Sequence, residues 1–297
     1  MDIRNIKEEP PKVEGGAYLE KMFDLQKELM EGYIRIEGLP QYPININSKK
    51  SQVVLKDFAS RVVEELAEGY ESTHYAVEMM EKVGWNLDLL SNKEYKMLFN
   101  HIQNSNEEQA DASAFFLELL IYAGITPQDL REWALSQLPE DSECESRPLL
   151  ELLMITGTKL LNSFDSVILE DSVILEDTGS LQYELLSIDR FENAEDYLKV
   201  KSYCPGFHNL SSLFHHREMS YLWQIQYHLG VGRNFLKNKP WKQSGELSDE
   251  APYFEHLFQG IAKLFGYHVI MGITPENLYY LFFKKNRVNR FRQKSNY

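Results

Sequence analysis

Apolar residues return every three or four positions along nearly the whole chain, and no period-two alternation is sustained. Met22, Leu25, Leu29 and Tyr33 follow this rule, as do Leu55, Phe58, Val62 and Leu66. Such spacing buries one stripe of a helix and leaves a strand nothing consistent to bury. The segments "LSNKEYKMLFNHI", "LLELLMITGTKLLNSF", "MSYLWQIQYHL" and "YFEHLFQGIAKLFGYHVIM" repeat it. The fold class that follows is all-α, a helical bundle. Loops are expected at 1–16, 37–50, 139–148 and 236–252, where Pro, Gly, Asn and Ser gather.

With 297 residues, 43% of them hydrophobic, the chain can bury a substantial core. No run approaches the 18 or so apolar residues of a membrane helix. The opening "MDIRNIKEEPPKVEGG" lacks the apolar segment of a secretory signal. Two cysteines, Cys144 and Cys204, make neither a disulfide framework nor a zinc site. These features describe a soluble, cytoplasmic protein. Net charge is −14, yet the last 14 residues, "KKNRVNRFRQKSNY", hold six Lys or Arg and no acid. An acidic body argues against nucleic acid as partner, and a short basic tail on it suits a local anion such as phosphate.

Two repeats interrupt the pattern. "DSVILE" occurs in tandem from Asp165 and Asp171 and reads as a tolerated surface duplication. "AGITPQDL" at 123–130 recurs as "MGITPENL" at 271–278, 148 residues later. Both copies have the chemistry of a helix–helix corner. Gly124 or Gly272 ends one helix, Thr126 or Thr274 caps the next, and Pro127 or Pro275 takes the first helical position. In that register Glu108 corresponds to His256 and Asp111 to Gln259, so one copy keeps carboxylates that the other does without.

Glu108 and Asp111 are expected at the head of the apolar helix that runs to Ala123. In "RVVEELAEGYES", Glu65 falls on the apolar stripe, Glu68 lies one turn on, and Glu64 turns away. Pairing the two helices gathers Glu65, Glu68, Glu108 and Asp111. Four carboxylates in one cleft repel unless cations neutralise them, and all-oxygen ligation selects Mg²⁺, with Mn²⁺ as substitute. Other sites are poorer. His208, His215 and His216 lack zinc spacing, and neither a GxxxxGK loop nor a GxSxG elbow is present. Cys144 lies in an acidic loop that disfavours its thiolate.

An ExxE pair on one helix and an ExxD pair on a later one resemble the all-α NTP pyrophosphatase superfamily, which includes dimeric dUTPases, phage dCTPases and MazG-like enzymes. "MFDLQKEL" at 22–29 is similar to the opening helix of the dimeric dUTPase branch, with Gln26 at its glutamine. "GITPENLYYLFFKKNRVNRFRQKSNY" at 272–297 is similar to its closing helix, with Lys285, Asn286, Asn289, Phe291, Arg292, Gln293 and Tyr297 in the matching pattern. Met30 stands where the family has an asparagine that reads the base, and the aromatic segment between the carboxylate pairs is present loosely as Gly84-Trp85-Asn86.

The resemblance implies a helical bundle of the dimeric dUTPase type and a homodimer of bacterial or phage kind. It also implies Mg²⁺-dependent hydrolysis of a dUTP- or dCTP-like deoxynucleoside triphosphate to monophosphate and pyrophosphate. Glu65 would orient or deprotonate the attacking water, with Glu65, Glu68, Glu108 and Asp111 as metal ligands. Gln26, Trp85, Lys285, Asn286, Asn289, Arg292 and Tyr297 would contact the nucleotide. The chain then divides into a flexible extension (1–17), a catalytic core (18–138), a variable helical insertion (139–250) and closing helices with a basic tail (251–297), in one folded unit. The alternative is a catalytically silent nucleotide-binding or regulatory scaffold of the same fold.

Overall fold

A computed structural model describes Ile3 and residues 6–139, 142–165, 212–238 and 245–295. These residues form an all-α structure, and no strand occurs among them. The helices are α1 (Tyr18–Glu37), α2 (Lys49–Lys82), α3 (Asn92–Ala123), α4 (Pro127–Ser136), α5 (Ser142–Ser146), α6 (Leu149–Asp165), α7 (Ser212–Phe235), α8 (Glu250–Ile270) and α9 (Pro275–Lys294). His208, Cys204, most of "NKPWKQ", Tyr297 and both "DSVILE" copies except Asp165 lie outside the described residues.

The sequence reading breaks α3 too early. Glu108 and Asp111 were expected in a first turn, but they sit past the middle of a 32-residue helix. Ser91 and Glu94 form a reciprocal capping box that starts the helix at Asn92. No Gly or Pro then stops it before Gly124, so the polar stretch "HIQNSNEEQ" stays helical. The helix dipole, which favours acids only within a first turn, therefore gives these carboxylates no support.

α3 is the central element. It packs along α2 in the most extensive helix pair, and it also meets α1, α8 and α9. One continuous core runs from Leu19 on α1 to Phe283 on α9, taking in Leu149–Leu161 of α6 and Tyr221–Leu236 of the region read as an insertion. α6 and α8 approach most closely at Gly157 and Gly266, where an added Cβ would overlap the Ala262 or Gly157 backbone. At α2–α3 the equivalent role falls to Gly69, beside Gln109 and Ser105, and Thr73 hydrogen-bonds Ser105 at 2.9 Å. Small residues at this crossing let the two helices face each other at side-chain distance over the next turn, where the carboxylates lie.

The two corners agree closely. Gly124 and Gly272 both adopt φ 82°, where glycine is favoured because it has no Cβ. Ile125 and Ile273 donate back to Leu120 and His268, and Thr126 and Thr274 cap the following helices. One further expectation, a flexible start to the chain, changes. The N-terminal extension is anchored: buried Lys284 donates to the Ile6 and Glu8 carbonyls and pairs with Glu9, while Ile3 packs on Leu281 and Val288. The basic tail is helical as far as Lys294 and tied to α1. Asn286 donates to the Leu25 carbonyl, Gln293 to the Leu29 carbonyl, and Arg290 pairs with Glu28.

Candidate metal and phosphate site

α2 and α3 bring Glu65, Glu68 and Glu108 together, with ligand oxygens all within 4.8 Å of one another. Glu65 and Glu108 are half-buried, Glu68 is exposed at the rim, and Glu64 faces solvent. The Glu65 carboxyl is pushed up to about 8, first by burial, then by its hydrogen bond with Glu108 and by the charges of Asp111, Glu108 and Glu68. Crowding of this kind holds a proton in the cluster until a cation replaces it. The oxygen-only donor set and its spacing fit a hard divalent ion.

Asp111 stands apart from those three. Its carboxylate meets Lys285 Nζ at 2.5 Å, and Glu107 meets the same ammonium at 3.7 Å. Burial opposes charge on Lys285, but Asp111, Glu108 and Glu107 outweigh it and hold the ammonium above its ordinary value. The reading that assigned Asp111 to metal and Lys285 to phosphate thus meets a structure in which the two neutralise each other. Glu107, which the sequence reading did not single out, joins Asp111 at this ammonium.

A pocket of about 350 Å³ has Asp111 in its lining, but none of Glu65, Glu68 and Glu108. Asp111, Asn289 and Arg292 line one part of it, with the exposed Arg292 guanidinium donating to Asn289 Oδ1 at 3.2 Å. Gln26 lines it too, buried, with its amide nitrogen donating to Glu118 at 2.6 Å. Arg61 projects from α2 into the same space, bonded to Asp57 and lying over Phe58 and Phe115. Sequence reasoning missed Arg61 and Glu118, though both left a signal. Arg61 precedes Glu65 by one turn, and Glu118 is the lone acid of an apolar run, seven residues after Asp111.

Trp85, Asn286 and Lys285, all expected to contact substrate, do not line the pocket, and neither does Met30, which stands where the family has its base-reading asparagine. Trp85 packs beneath Met80, Leu87 and Leu98 at the far end of the α2–α3 hairpin. That lies about 18 Å beyond Glu68 at the helical rise, because both helices run several turns past the carboxylates. Asn286 is buried and committed to Leu25 and Arg290. Met30 is in the core. No family model, no curated protein and no solved structure matches the chain.

Proposed function

We propose that this chain is a Mg²⁺-dependent pyrophosphatase that hydrolyses a deoxynucleoside triphosphate to its monophosphate and pyrophosphate. One observation carries the reading: three carboxylates lie within ligand distance of one another, and Asp111, whose charge bears on Glu65, lines a pocket together with Asn289, Arg292 and Arg61. An acidic cluster alone is an ordinary surface. Carboxylates beside convergent cationic and amide donors can hold both a metal and a polyphosphate.

Glu65, Glu68 and Glu108 would hold the metal. Mg²⁺ bound there would neutralise phosphate charge and acidify a water. Glu65, the most crowded of the three, orients that water and takes its proton. Arg292 and Asn289 hold phosphate oxygens from the α9 side, and Arg61 does so from α2. Lys285 reaches the phosphates by exchanging Asp111 for them, and Asp111 is then released toward the cluster. The alternative, a silent nucleotide-binding scaffold of the same fold, draws its support from that same Lys285–Asp111 pair, which completes part of the site without metal or substrate.

Measuring pyrophosphate release from a panel of deoxynucleoside triphosphates with Mg²⁺ separates the two. Turnover that disappears in Glu68→Gln supports the hydrolase. Binding without turnover of any nucleotide supports the scaffold.

A further inference from the structure

Between Asp111 and Glu118 the pocket follows α3 for seven residues, about 10 Å at the helical rise. Asp111, whose charge acts on Glu65 of the carboxylate cluster, lies at one end, while the most buried polar groups of the lining, Gln26 and Glu118, lie at the other. Gln26 is 1% exposed and Glu118 6%. The hydrogen bond from Gln26 Nε2 to Glu118 Oε1 fixes which way the amide points. Gln26 Oε1 is left buried and without a partner. A buried acceptor lacking a donor is costly unless a ligand supplies one. Phe58, Phe115 and Tyr33 offer flat faces on the way to it.

This deepens the hydrolase reading and rests on it. We propose that Gln26 and Glu118 form the base-reading end of the pocket. They select a nucleotide whose far edge presents an exocyclic amine beside a ring-nitrogen acceptor, the edge shared by cytosine and adenine. Gln26 Oε1 accepts from the amine, and the Glu118 hydroxyl donates to the ring nitrogen. A uracil or guanine would instead turn a carbonyl oxygen toward the Gln26 carbonyl. The Glu118 carboxyl supports this arrangement, because burial above all pushes it up to about 8 and keeps it protonated at neutral pH. The charged and titratable groups around it are Arg61 from α2, Glu37 and Tyr33 from α1, and Tyr122 on α3 itself. Arg61 opposes the upward shift and Glu37 adds to it.

Calorimetric binding of dCMP, dAMP, dUMP and dGMP to the full chain with Mg²⁺ tests the edge without requiring catalysis. The expected result is at least tenfold tighter binding of dCMP or dAMP than of dUMP and dGMP, with the better of the first two identifying the ring. That preference should fade above pH 8 in the wild type. It should become independent of pH in Glu118→Gln, whose amide mimics the protonated acid. Equal binding of all four, tighter binding of dUMP or dGMP, or a preference unmoved by pH would overturn the inference. Pyrophosphate release from the matching triphosphates is read in parallel. Preferential binding without any release leaves the base-reading end standing and removes the hydrolase. Release from all four alike does the reverse, and the absence of any binding removes both.

Discussion

α3–α4 and α8–α9 end in the same corner and differ one helix-length earlier. In α3 the positions about four and a half and three and a half turns before the corner hold Glu108 and Asp111, which face α2, a pocket and Lys285. In α8 the equivalent residues are His256 and Gln259. His256 Nδ1 lies 3.0 Å from His228 Nδ1 on α7, and Gln259 donates to Glu255. Burial lowers both histidines, His228 to about 3, so the pair is neutral. It forms one rung of an internal polar ladder between α7 and α8, with Gln224–Lys263 and Glu218–Tyr267 as the others. The corner and the apolar turns beside it are therefore what the fold requires. Carboxylates at the upstream positions are a separable addition, present where a pocket opens and replaced by mutually satisfied neutral groups where a helix closes over them.

The sharpest break of this comparison is catalytic. Glu68→Gln should lower pyrophosphate release at least about 100-fold while circular dichroism remains helical. Gln259→Ala should leave kcat/KM unchanged. Equal losses in the two would show that both halves serve the reaction.

Backbone contact gives the next largest effect. Gly157→Ala or Gly266→Ala drives a Cβ into the facing backbone, which cannot swing aside. Each should cost about 3 kcal/mol or more of stability in denaturant unfolding. Gly69→Ala meets the movable end of Gln109. It should cost less stability and instead weaken metal binding by spreading α2 from α3.

Glu118 sharpens the contrast through pH. Its folded pKa of about 8 lies above the ordinary 4.5, so the folded chain keeps a proton that the unfolded chain releases. Its stabilising contribution is full below pH 4.5 and falls as pH rises through 8, by on the order of a few kcal/mol. Glu118→Gln should flatten that fall in thermal melts recorded from pH 5 to 9. Glu65, also raised to about 8, would account for what slope remains.

The smallest effect tests the likeness of the corners. Thr126→Ala and Thr274→Ala should each cost about 1 kcal/mol. Thr126 should cost the more, because Asp129 completes its capping box.

Most helices and both corners were legible in the sequence, since periodicity, Gly, Thr and Pro act locally. The boundaries of α1, α6 and α8 follow directly from such signals. The join between "LSNKEYKMLFNHI" and the apolar half of α3 was not legible, because a polar stretch without Gly or Pro reads equally as a loop. Glu65, Glu68 and Glu108 were recognisable from helical register. The commitment of Asp111 to Lys285 was not, since it depends on how α9 docks against α3 across 174 positions of sequence. Trp85 shows the converse: near the carboxylate motifs in sequence, it is carried away by the length of α2.

A single metal cluster per chain, at Glu65, Glu68 and Glu108, is the central claim. Crystals grown with Mn²⁺ and measured for anomalous scattering test this most directly. The predicted result is a peak among those three carboxylates, absent in Glu108→Gln, with none beside His256 and Gln259. An empty carboxylate cluster at millimolar Mn²⁺, or a peak at His256 and Gln259, would contradict it.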